Sequence, residues 1–118
     1  MPLNSGLYGP HLLTTTGLSA LSGVAPGAYV LGAKNTLGGV NVNYVGRADV
    51  DLIARLEDHV AAGNYTHFKY AFYETRIKAY RAECALFHMF GAYTLDNKVH
   101  PASPKNLNLA CSHPGCGR

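Results

Sequence analysis

The stretch from Gly27 to His59 constrains the fold of this chain more than any other. It opens with Ala28-Tyr29-Val30-Leu31, a run of strand-favouring residues. A second run follows in which Val40, Val42, Tyr44 and Gly46 alternate with Asn41, Asn43 and Val45. Side chains alternate between the two faces of a strand, so a period of two reads as a half-buried strand. Between the runs lies Lys34-Asn35-Thr36-Leu37-Gly38-Gly39, whose Asn and Gly residues tolerate positive φ in a turn. Together these segments read as a β-hairpin. A helix follows at once. Asp49 suits its N-cap, and Asp51 puts a carboxylate in the first turn, where the helix dipole favours it. Leu52, Ile53, Leu56 and Val60 form one apolar stripe, and Gly63-Asn64 ends the helix. Arg55 and His59 are four apart and stack on a face bordering that stripe. A hairpin feeding this helix brings Tyr29, Tyr44, Arg55 and His59 to one place.

Downstream, Tyr65 to Tyr73 alternates and is rich in aromatics, which predicts a third strand. Phe68, Tyr70 and Phe72 share one face, with His67, Lys69, Ala71 and Tyr73 on the other. Core packing accounts for such a run, and base stacking is the sharper alternative. A second long helix spans Glu74 to Phe90, with Ile77, Tyr80, Cys84, Phe87 and Gly91 as its buried stripe. Glu83 lies about 100° around the helix from Cys84, at the edge of that stripe. A carboxylate there is either paired with a cation or binds a metal.

These residues resemble the GIY-YIG nucleases. Gly27-Ala28-Tyr29 is similar to the first motif of that family and Tyr44-Val45-Gly46 to the second. Arg55, with His59 one turn later, resembles its helix motif. Glu83 matches the single metal-binding carboxylate, and Asn97 matches a late Asn. Ala28 and Val45 stand where the family usually has Ile, and the gap between the two motifs is longer. The resemblance covers roughly residues 26 to 100, and the ordered set of Tyr, Tyr, Arg, His, Glu and Asn is more specific than either tripeptide.

The resemblance implies an α+β fold with a three-stranded antiparallel sheet flanked by helices, in the order β-β-α-β-α. The nuclease-like domain would span residues 27–100, with an N-terminal arm at 1–26 and an extended tail at 101–118. It further implies a metal-dependent endonuclease, with DNA favoured over RNA, and Mg²⁺ or Mn²⁺ held by Glu83. Tyr29 would orient or deprotonate the attacking water, Arg55 would hold the scissile phosphate, and His59 would relay a proton or bind phosphate. Tyr44 would position phosphate or water, and Asn97 would fix a Tyr or phosphate. Arg47, Lys34 and Lys69 are candidates for lining a nucleic-acid groove. A catalytically inactive nucleic-acid- or protein-binding module of the same fold is the alternative.

Composition bounds this reading. The 118 residues suffice for one domain with one core. With 47% hydrophobic and 14% charged residues, the chain is globular rather than disordered or coiled-coil. Its formal charge of +3 is compatible with an anionic partner without establishing one. The start lacks the positive segment of a signal peptide, and three Cys fit a reducing compartment, so the expectation is a cytoplasmic protein. Residues 1–26 have no clean period, and they fit either an oligomerisation element of a homodimer or the cover of a sheet edge. Cys111 and Cys116, with His113 between them, are spaced more loosely than a zinc knuckle. Structural zinc and two reduced thiols both remain open.

Overall fold

The computed structural model describes residues 7–90, 95–96, 101–104, 107 and 109. Seven elements follow in order: β1 (Tyr8–Leu12), α1 (Thr15–Leu18), β2 (Gly27–Lys34), β3 (Val40–Ala48), α2 (Leu52–Ala62), β4 (His67–Phe72) and α3 (Arg76–Met89). The class is α+β. One sheet of four antiparallel strands has the order β1-β4-β2-β3. The expectation of three strands is therefore corrected. β1 comes from the expected arm and pairs with β4, placing Tyr8 opposite Tyr70 and His11 opposite Phe68. The backbone groups of that β4 edge need partners, and β1 supplies them. Leu13, Leu18 and Leu21 also join the core, so this part of the arm belongs to the domain.

β2 is the central strand, buried from Gly27 to Gly32. Its odd and even positions serve two cores. Tyr29 and Leu31 face Leu52 and Leu56 of α2, along with Leu18 and Leu21. Ala28 and Val30 face Leu86 and Phe87 of α3, with Val45 of β3. Burying a Leu such as Leu52 or Leu56 stabilises the fold by about 1.5–3 kcal/mol.

The β2–β3 hairpin forms as predicted, with one departure. Leu31 pairs with Tyr44 but Gly32 pairs with Val42, so Asn43 is an extra residue in a bulge. The bulge separates two residues that simple alternation puts on one face. Tyr44 packs on the α2 side and Val42 on the α3 side. The Asn43 carbonyl accepts from the backbone N–H of Asp96 at 2.7 Å.

α2 starts two residues later than an Asp49 cap would place it. Asp51 is the N-cap, and its side chain accepts from the Ala54 N–H at 3.1 Å. Gly63 closes the helix with φ 71°, a left-handed conformation that costs glycine little. α3 is capped by Thr75, whose hydroxyl accepts from the Lys78 N–H at 3.1 Å, so Glu74 lies before the helix. No helix among the described residues is long and apolar enough to cross a membrane.

Candidate functional site

The hairpin register sets the centre of the site. Gly46 sits directly opposite Tyr29, and Tyr44 is its diagonal neighbour. A Cβ at Gly46 would lie 2.7 Å from Tyr29 Cε2 and closer still to Cζ and the hydroxyl. The glycine of the second tripeptide thus leaves the space that the Tyr29 ring fills. Tyr44 stacks on that ring with centroids 6.4 Å apart and planes 12° apart.

α2 lays two polar side chains over the pair. The Tyr29 hydroxyl is 2.8 Å from His59 Nε2, and the Arg55 guanidinium lies near enough to act on it electrostatically. The His59 ring stands edge-on to both tyrosines, 5.3 Å from Tyr29 and 5.1 Å from Tyr44. Burial pushes the Tyr29 phenol well above its ordinary value, reinforced by Tyr44 and opposed by Arg55. Burial also lowers His59 below 6.5, and the neighbouring Arg55 charge adds to the effect. A neutral imidazole carries one ring proton, so Tyr29 donates to His59 where that proton resides on Nδ1 and accepts where it resides on Nε2. Tyr29 has no exposed surface, whereas half of the Arg55 side chain is exposed. Solvent therefore meets Arg55 before Tyr29.

Glu83 sits on α3, 8% exposed, beside the β3 residue Arg47. Arg47 Nη1 donates to Glu83 Oε1 at 2.9 Å and to the Ala102 carbonyl at 2.7 Å. Its Nε donates to Asp49 Oδ1 at 2.6 Å, and its guanidinium lies 5.3 Å from the centre of the Tyr80 ring. Burial raises the Glu83 carboxyl to about 7, with Arg47 pulling it down and Asp49 pushing it up. The field of Glu83 reaches Tyr29, and that of Arg55 reaches Glu83. An open depression of about 410 Å³ reaches Arg47 on one side and Arg55 on the other, lined also by Asp49, Asp51 and Asp58.

The predicted residues are thus partly gathered. Tyr29, Tyr44, Arg55 and His59 form one contact group, and Glu83 adjoins it electrostatically. Arg47 is not a free groove cation, because its side chain is 12% exposed and fixed between two carboxylates. Lys34 is exposed at the end of β2, and Lys69 pairs with Val30, whose side chain lies on the α3 side of the sheet. Neither lysine joins the group. Asn97, Cys111, His113 and Cys116 lie outside the described residues. Two participants were missed by sequence reasoning. Tyr65 tilts against Tyr44 at 5.9 Å and donates to Asp96 Oδ2 at 2.6 Å. Asp49 serves Arg47 rather than capping α2. Tyr65 carried a signal in the aromatic run that it opens, but the partner of Asp49 depends on the hairpin register.

No family model, curated protein or solved structure matches this chain.

Among the described residues, no group of three or more His, Cys, Asp or Glu could hold a metal ion. A Mg²⁺-type site needs less, since Mg²⁺ commonly binds through one or two carboxylates with water and phosphate oxygens. The donor set here is Glu83 and Asp49, both bonded to Arg47. Two hard oxygen donors around one cation fit such an ion, provided the guanidinium gives way.

Proposed function

We propose that this protein is a GIY-YIG-like endonuclease that hydrolyses phosphodiester bonds in nucleic acid, DNA in preference to RNA. The observation that carries the reading is the buried Tyr29 hydroxyl bonded to His59, with the Arg55 charge beside it. The order β2-β3-α2-β4-α3, and Glu83 within electrostatic reach of that hydroxyl, support it. In this reading Arg55 turns outward to the scissile phosphate, because its planar fork matches phosphate oxygens and a charged acceptor is stronger than a phenol. That movement uncovers Tyr29. Its raised pKa rules out a standing phenolate, so Tyr29 acts as a relay rather than as the base. As a water attacks phosphorus, its proton passes to the Tyr29 oxygen while the Tyr29 proton passes to His59 Nε2. Neutral His59 is the final acceptor. Tyr44 walls the relay against bulk water. A divalent ion held by Glu83, with Asp49 in reach, would supply Lewis-acid stabilisation of the leaving 3′ oxygen.

A specific observation favours a second reading. Arg47 already neutralises Glu83 and Asp49, as in a structural ion network, which fits a non-catalytic binding module. The test is nicking of supercoiled plasmid and cutting of single-stranded RNA in Mg²⁺, Mn²⁺ and EDTA, with wild type, Glu83→Gln and Tyr29→Phe. Metal-dependent cutting lost in both variants supports the nuclease. Binding without cutting in any metal supports the module.

A further inference from the structure

The sheet face around Tyr29 continues beyond the site. Read across the strands, one row contains Gly46, Tyr29, Tyr70 and Tyr8. Tyr29 is buried, Tyr70 is half-buried and Tyr8 is 65% exposed. The rings around Tyr70 form a continuous array, with centroids 5.9 Å away at Tyr8, 5.7 Å at His11 and 5.6 Å at Phe72. Tyr70 and Phe72 pack on the same core as Tyr29, so the array lies on the side of the sheet where the Tyr29–Arg55–His59 group sits. Tyr8 and His11 both come from β1, the strand that sequence reasoning left in an arm.

We infer that the Tyr8–His11–Tyr70 array is a stacking platform for unpaired bases of a nucleic acid whose phosphate lies at Arg55. The inference rests on the nuclease reading and specifies its substrate as one with a single-stranded segment. Three features select this occupant. The exposed groups are flat rings rather than aliphatic side chains, and every base offers a π-face to such a ring. The platform runs in register into the proposed centre, so a strand lying on it leads to Arg55 without crossing the sheet. Its extent also suits a short run of bases. Tyr8 and Tyr29 are two strand spacings apart, roughly 10 Å, the rise of about three stacked nucleotides.

The chain contains no Trp, so Tyr8→Trp keeps a stacking ring and adds one fluorescent reporter. The experiment titrates this variant with a thymidine oligonucleotide and with a duplex of equal length in Ca²⁺. Wild type, Tyr8→Ala and His11→Ala are compared by anisotropy, and wild-type cutting is followed in Mg²⁺. We expect the single strand to quench the Trp and the duplex to leave it unchanged. Tyr8→Ala should weaken single-strand binding about fivefold, the low end for loss of one base–aromatic stack, with duplex affinity unaltered. Quenching by protein concentration alone would overturn the platform in favour of self-association through β1. Metal-dependent cutting with no quench and no effect of Tyr8→Ala would overturn the platform and leave the nuclease standing. Quenching by the single strand without cutting in any metal would keep the platform and remove the nuclease reading.

Discussion

Glu83→Gln keeps the shape of the α3–β3 contact, since a Gln carbonyl can still accept from Arg47 Nη1, but it removes a titrating group. Burial holds the Glu83 carboxyl at about 7, against 4.5 in the unfolded chain. The folded state therefore binds the proton more tightly than the unfolded one. The stability this contributes is fully present below pH 4.5 and is lost as pH rises through 7. A displacement of this size is worth roughly 3 kcal/mol, of which roughly 2–3 kcal/mol falls between pH 5 and pH 8. With a urea m-value of about 2 kcal/mol/M, the wild-type midpoint should fall by about 1–1.5 M over that range. The midpoint of Glu83→Gln should lack this fall. Other groups, His59 among them, titrate in both proteins and cancel in the difference. On the metal reading, Mg²⁺ at pH 8 should restore part of the loss, about 1.4 kcal/mol at ten times its dissociation constant, in the wild type alone. Equal pH dependence of the two proteins would refute the burial argument, and an equal response to Mg²⁺ would refute Glu83 as its ligand.

Three further outcomes follow from the same geometry. Tyr29→Phe removes the hydroxyl at His59 and should lower the cutting rate by about 10²–10⁴, the usual range for a positioned proton-transfer group; urea unfolding should show a loss of only about 1 kcal/mol. The rate of cutting should rise with pH through about 7 as Glu83 ionises and His59 remains neutral, and a profile falling over pH 6–8 would contradict both assignments. Gly46→Ala forces a methyl against the Tyr29 ring and should destabilise the protein by about 1–3 kcal/mol, measured by urea unfolding.

The hairpin and α2 were legible because their signals are local. Alternation marks β3, Gly63 ends the helix, and Arg55 and His59 are one turn apart on it, although the cap is Asp51 rather than the expected Asp49. The two faces of β4 were legible for the same reason, with Phe68 and Tyr70 falling on one side. Pairings across long separations were not legible. β1 carries Gly9-Pro10, which weakens any strand signal, and its partner β4 lies more than fifty residues downstream. Glu83 lies at a core edge needing a cation or a metal, as expected, but its cation, Arg47, is 36 positions away and was expected to line a nucleic-acid groove. The bulge at Asn43, which turns Val42 away from Tyr44, leaves no mark in the alternation of β3. The direction of the Tyr29 shift was also hidden, because it depends on complete burial beneath α2 rather than on the tyrosine itself.

The charges lining the depression lead to a last prediction. Burial leaves Tyr29 and His59 uncharged at neutral pH, so of the Tyr29–Arg55–His59 group only the Arg55 guanidinium offers the depression a positive charge. Around it stand Asp49, Asp51 and Asp58, with Asp58 Oδ2 3.9 Å from Arg55 Nη1. Arg47 is balanced by its own carboxylates and adds little field outward. A phosphate entering alone thus meets more negative than positive charge, and like charges within the ~8 Å Debye length at physiological ionic strength repel with little screening. On the nuclease reading, a divalent ion must enter with the phosphate, so duplex binding at constant ionic strength should be at least tenfold tighter with Ca²⁺ than with EDTA. Asp58→Asn should shrink that ratio by tightening binding in EDTA, because it removes an exposed negative charge 3.9 Å from Arg55. Fluorescence anisotropy with a labelled duplex measures both quantities. Duplex binding indifferent to Ca²⁺ at fixed ionic strength would show that the phosphate does not sit in this depression, and would move the proposed cleavage site away from Arg55.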